Sequence, residues 1–128
     1  LKCPPGDFYA IDRRFVMKPH RVVFVAGPNR VGQSGGLWCR YDMETGSTLC
    51  WNQDYCTPGP LVFVPASPES AEGNGWLLSI VLDTRKNRSF LLILDTTTMT
   101  ETARVWLPYA LPCALQSTFI PEGSGNEA

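Results

Sequence analysis

Leu37-Trp38-Cys39-Arg40-Tyr41-Asp42, then Met43-Glu44-Thr45-Gly46, then Ser47-Thr48-Leu49-Cys50-Trp51 reads as two strands and the loop that joins them. A glycine closing a four-residue loop is hairpin chemistry, because it takes the left-handed conformation at no steric cost. The same layout returns at Leu91–Asp95, Thr96–Met99 and Thr100–Trp106. Each copy has an apolar strand ending in Asp, a turn containing Thr, a rising strand and a closing Trp. Asp42 and Asp95 lie 53 positions apart. Four-stranded propeller blades recur at about 40–50 residues, so the spacing fits about two blades with a loop insertion. Each Asp is placed to accept hydrogen bonds from the amides of its own turn. The two tryptophans read as packing between strands.

The rest of the chain agrees. Arg21–Ala26, Leu61–Val64, Trp76–Asp83, Phe90–Asp95, Ala103–Leu107 and Thr118–Ile120 read as strands, with polar turns at Thr84–Ser89 and Thr96–Thr100. No window of about 11 residues carries a 3.6-residue period. Eleven prolines and eleven glycines interrupt the chain throughout. Many short strands with turn signals between them argue for an all-β sandwich, barrel or propeller, and the weak repeat narrows this toward a propeller.

With 128 residues the chain is one domain's worth, and 44% hydrophobic content supplies a core. A formal net charge of −1 gives no electrostatic case for nucleic acid or an anionic membrane. No apolar run reaches the ~18–20 residues of a membrane span. Nothing at Leu1 reads as a leader peptide, and residues 122–128, rich in Gly, Ser, Asn and Glu, read as a flexible tail.

The five cysteines, Cys3, Cys39, Cys50, Cys56 and Cys113, include no C-x-x-C pair, and His20 is the only histidine. That excludes zinc spacing. Buried free thiols are the ordinary reading. One pair stands apart: counting outward from the Met43–Gly46 loop places Cys39 opposite Cys50. Directly opposed Cβ atoms, about 4.5–5.5 Å apart, are within reach of a disulfide. No Ser lies in a G-x-S-x-G elbow, and the glycines at 32, 35 and 36 lack the lysine of a phosphate cradle.

Several segments, in order, resemble one family. Phe8-Tyr9-Ala10-Ile11-Asp12-Arg13-Arg14-Phe15-Val16-Met17-Lys18-Pro19-His20-Arg21 is similar to F-P-R-I-[DN]-P-R-[FY]-x-G-R-x-x-R. Tyr9, Arg13 and Met17 replace Pro, Pro and Gly. Pro58–Pro65 resembles P-G-E-P-V-F-V-P, Gly75–Asp83 resembles G-[WY]-L-L-x-x-V-Y-D, and Leu92–Asp95 with Ala103–Pro108 resembles ILDA…ARV-x-LP. Leu107–Ile120 resembles L-P-x-x-x-P-x-G-F-H-G-x-F. These are motifs of the carotenoid cleavage oxygenases, and the resemblance covers residues 1–121, the C-terminal quarter or so of a family member.

The resemblance implies an all-β, partial β-propeller: about two blades of a seven-bladed ring with an iron on its axis, held by four histidines whose orientation second-shell glutamates fix. Here the final histidine is Gln116 and the glutamate of the P-G-E-P motif is Pro60. The other three histidines would lie upstream, and His20 aligns with a variable position. The amide of Gln116 is a poor ligand for ferrous iron beside imidazole. The expectation is therefore no catalytic residue, no metal ligand and no cofactor from this chain. The favoured function is a non-catalytic structural or accessory subunit. The alternative is a piece of an Fe(II)-dependent oxygenase cleaving carotenoid, apocarotenoid or stilbene double bonds, with Gln116 tolerated.

Two blades leave open edges and an unburied inner face. Other protein chains are therefore expected as partners, with Phe15, Val16 and Met17 as a candidate contact beside their plain reading as strand packing. A carotenoid or other pigment is a candidate ligand. Plastid relatives suggest a chloroplast location and a photosystem-type assembly.

Overall fold

The computed structural model of the chain describes residues 6–29, 35–111 and 118–122. Among the described residues nine strands form two antiparallel sheets: β1 (Phe8–Ile11), β2 (Val22–Pro28), β3 (Gly36–Asp42), β4 (Thr48–Gln53), β5 (Cys56–Thr57), β6 (Leu61–Pro65), β7 (Gly75–Asp83), β8 (Arg88–Asp95) and β9 (Thr100–Trp106). A three-residue 3-10 turn, Arg13–Phe15, follows β1. The first sheet is the meander β1-β2-β3-β4, and the second runs β5-β7-β8-β9 with β6 also on β7. Each is one propeller blade, and the two do not close into a barrel.

β5 and β6 are one inner strand interrupted. β5 pairs with Leu82 and Asp83 of β7, and β6 with Ser79 through Gly75. Between them stand Pro58, Gly59 and Pro60. Proline has no N–H to give a ladder, and a Cβ on Gly59 would run into the Ile80 carbonyl.

The repeated aspartates do the same work in each hairpin. Asp42 Oδ1 accepts from the amides of Glu44 and Thr45 at 2.9 and 3.2 Å. Asp95 Oδ1 accepts from the amide and hydroxyl of Thr97 at 2.9 and 2.6 Å. Asp83 is a third copy, accepting from the amides of Arg85 and Lys86. Four residues after each Asp the chain turns left-handed, at Gly46 (φ 73°), Asn87 (φ 50°) and Met99 (φ 52°). Only the first is a glycine, so the repeat is legible in the Asp and hidden at the turn's end.

The blades share a core. Phe24 of β2 stacks on Phe63 of β6 with centroids 5.3 Å apart. Trp38, fully buried, donates from Nε1 to Ser79 Oγ of the second sheet at 3.2 Å. Trp51 packs edge-on against Trp38, and Trp106 tilts over Phe90.

A clasp adds to this. Asp12 is buried and binds Arg14 through both carboxylate oxygens, at 3.0 and 2.6 Å. The same guanidinium donates to the carbonyls of Ser67, Pro68, Ser70 and Ala71 in the β6–β7 loop. That loop returns Glu72, whose Oε2 accepts from the amides of Arg21 and Val22 at 2.8 and 2.9 Å.

Some expectations shift. Thr118–Ile120, read as a strand, joins no sheet among the described residues, and β1 and β5 carry no alternating pattern long enough to have been seen. The strand read as ending at Ala26 continues through Pro28, which pairs with Gly36 of β3 at a position beyond the end of the β1 ladder. Residues 123–128 of the expected tail lie outside the described residues.

Three outcomes follow. Asp12→Ala takes the charged partner from the Arg14 guanidinium and the side-chain acceptor from the Gly73 amide and is expected to cost about 2–4 kcal/mol in denaturant unfolding. Glu44→Ala, which removes an exposed partner of Arg21, is expected to cost under about 0.5 kcal/mol. Met17, with φ 63°, occupies a left-handed position, so Met17→Gly is expected to raise stability by about 0.5–1 kcal/mol.

Acid stability has a definite sign. Burial pushes the Asp12 carboxyl up, but the Arg14 side chain and the Gly73 and Arg14 amides outweigh it and hold the group below its ordinary value. Arg21 lowers Asp42, and the Thr97 hydroxyl lowers Asp95. Carboxyls depressed in the folded state contribute stability that is full above the unfolded-state value and lost as pH falls through the folded value. Unfolding followed from pH 6 to pH 2 is expected to show falling stability below about pH 4, and Asp12→Asn to flatten part of that slope.

Candidate functional site

The inner strands β1 and β6 belong to different sheets and do not pair. Between them lies a cavity of about 380 Å³ whose wall includes Asp7, Phe8, Ile11, Pro60, Leu61 and Phe63. Alternation along β1 and β6 sends one set of side chains into the core and the other toward this space. Pro60 is buried in that wall. Its ring offers no hydrogen bond, so the position presents carbon where the family motif presents a carboxylate.

Asp7 is the site residue that the sequence reading missed. It lines the same cavity as Pro60, one residue before Phe8, the first position of the matched motif. Its backbone amide donates to the Ala26 carbonyl at 2.9 Å, which continues the β1–β2 pairing. Asp7 and Arg13 give this wall both signs of charge. The only available signal was its place beside a motif.

A second cavity of about 540 Å³ shares Arg13, Val62 and Phe63 with the first and adds Val64, Pro65 and Phe119. Its wall is mostly apolar, suited to hydrocarbon. Gln116 lies outside the described residues, in the segment just before Thr118.

The other candidate residues stand elsewhere. Phe15 is half-buried under the Arg14 guanidinium at 5.6 Å, while Val16 is 49% and Met17 98% exposed at the tip of the loop after β1. Val16 reaches the first cavity and Met17 does not. Cys39 and Cys50 are directly opposed on β3 and β4 and joined as a disulfide. Free thiols were the ordinary reading of the cysteines. Among the described residues Cys56 alone is one, and burial and the nearby Asp83 push its thiol up to about 11.

Iron is the cofactor that the resemblance brings, and the described residues do not fit it. They contain no group of three or more His, Cys, Asp or Glu side chains able to hold a metal. His20 is exposed, with Nδ1 3.3 Å from the Lys18 carbonyl oxygen, and lies in the loop away from the cavity wall. No step through iron is derived from them. Among the described residues no helix is long and apolar enough to cross a membrane.

Comparison with known proteins places this geometry. The family described as RPE65, retinal pigment epithelial membrane protein, matches residues 1–121. A carotenoid dioxygenase of Neurospora crassa is 31% identical over 119 residues, 92% of this chain and 19% of that protein. The β,β-carotene 15,15'-dioxygenase of Rattus norvegicus is 32% identical over 116 residues, 85% of this chain and 19% of the relative. The chain thus spans about a fifth of the length of the curated relatives it matches. In structure, a Synechocystis apocarotenoid oxygenase variant superposes with TM-score 0.77 at 24% identity, over 85% of this chain and 24% of that one. The lignostilbene dioxygenase of Pseudomonas brassicacearum gives the same TM-score at 19% identity, over 84% of this chain and 25% of that one. Those likenesses carry the propeller fold, and the match over residues 1–121 carries the family: the chain belongs to the carotenoid oxygenase family.

Proposed function

We propose that this chain forms one wall of the apolar-ligand cavity in a carotenoid-oxygenase-type propeller and supplies neither a metal ligand nor a hydrogen-bond partner for one. In this reading the protein holds a carotenoid- or stilbene-like polyene without cleaving it, as a structural or accessory component. The observation that carries it is Pro60, buried in the cavity wall at the place of the motif's glutamate. Gln116 supports it from the sequence. A polyene is long and apolar, and Phe8, Val62, Val64 and Phe119, none of them fully buried, provide the matching surface. Other protein chains as partners and a plastid location belong to the same reading, with support from the resemblance alone.

The second reading is a piece of an Fe(II)-dependent dioxygenase whose remaining ligands come from outside this chain. The identity of 31–32% to proteins described as dioxygenases, over 85–92% of this chain, favours it. Three-ligand ferrous sites with open positions exist.

Restoring the two motif residues separates the readings. In the complete polypeptide, Gln116→His with Pro60→Glu is expected to raise bound iron and carotenoid cleavage at least tenfold above a wild-type background near zero. Wild-type cleavage at a rate that the double substitution does not improve would establish the dioxygenase reading instead.

A further inference from the structure

Cys39 and Cys50 face each other across β3 and β4 with a Cα separation of 4.2 Å. That separation belongs to the closer, non-hydrogen-bonded kind of antiparallel pair. The two ends of the bridge differ. Cys39 is 1% exposed, while Cys50 is open to solvent, as are Thr48 and Leu49 beside it. β4 is the outer edge of its sheet, so nothing in the described structure covers Cys50.

The bridge is not needed to set the register. The Asp42-capped turn and the pairs on both sides, Trp38 with Trp51 and Arg40 with Leu49, already fix it. The loop it closes spans a sequence separation of 11, so its constraint on the unfolded chain is small beside that of a long loop. Thiol–disulfide exchange needs access to one sulfur, and of the two residues Cys50 is the one open to solvent. Cys56 does not compete, since it is buried and its thiol is pushed up to about 11.

We propose that Cys39–Cys50 is a reversible thiol-exchange site, entered at Cys50 by a small thiol of the glutathione class. The incoming thiolate attacks Cys50 Sγ. A sulfur–sulfur bond forms between them, the Cys39–Cys50 bond breaks, and the electron pair leaves on Cys39 Sγ, which takes a proton from water. A second thiolate then releases the first as the small-molecule disulfide and leaves Cys50 as a thiolate. Two thiols are oxidised and the bridge gains two electrons. The sulfur released at Cys39 stays opposite Cys50, held there by the strand pairing; once it gives its proton back to water it attacks Cys50 Sγ, expels the small thiol and closes the bridge again. The closed bridge is the resting state and the mixed disulfide at Cys50 its transient partner.

The test equilibrates the complete polypeptide with reduced and oxidised glutathione at graded ratios, quenches with acid and maleimide, and maps the peptides by mass spectrometry. The expected result is a glutathione adduct on Cys50 at least tenfold above that on Cys39. Cys39→Ser is expected to trap the Cys50 adduct, and Cys50→Ser to leave Cys39 unmodified. A bridge that persists at every ratio, adducts equal on both cysteines, or two alkylated thiols under oxidising conditions would each overturn the proposal.

Discussion

Arg14 and Asp12 join two sheets that share no backbone ladder, and the cavity exists only because those sheets are held at a fixed separation. Within a blade the meander holds itself through paired amides and carbonyls. Between blades there is the Phe24–Phe63 stack, the Trp38–Ser79 hydrogen bond and the clasp, in which one guanidinium serves the Asp12 carboxylate and four loop carbonyls. Apolar contact supplies attraction without direction. The charge-assisted bonds supply direction, and so decide how far β1 stands from β6.

That division explains where variation is tolerated. The clasp and the capped turns use Asp12, Arg14, Asp42, Asp83 and Asp95 in roles that no apolar residue fills. Pro60 stands in the cavity wall between β5 and β6, outside both ladders, so it fits there without damage to the fold. A propeller can therefore keep its architecture while the chemistry at its axis changes, because different side chains carry the two.

The sequence made the blades legible where the pattern was long. The apolar runs of β3, β7 and β8 and the turn at Met43–Gly46 announce themselves, and the 53-residue spacing fits two blades, while the propeller itself came from the family motifs. Short elements were not legible. β1 has four residues and β5 two, too few for a period. Met17 and Met99 sit at left-handed positions that composition gives no reason to expect. At the site, Pro60 was visible because a motif framed it, whereas Asp7 lies just outside that frame and only the fold brings the two to one wall. The opposition of Cys39 and Cys50 could be counted from the turn, but the burial of Cys39 and exposure of Cys50 could not.

The central claim is that this part of the propeller walls an apolar cavity without furnishing a metal site. Elemental analysis of the complete purified protein, with the chains that accompany it, tests this most directly. The account predicts iron far below one equivalent in material that still binds a carotenoid or stilbene. Iron near one equivalent, retained through purification, would contradict it.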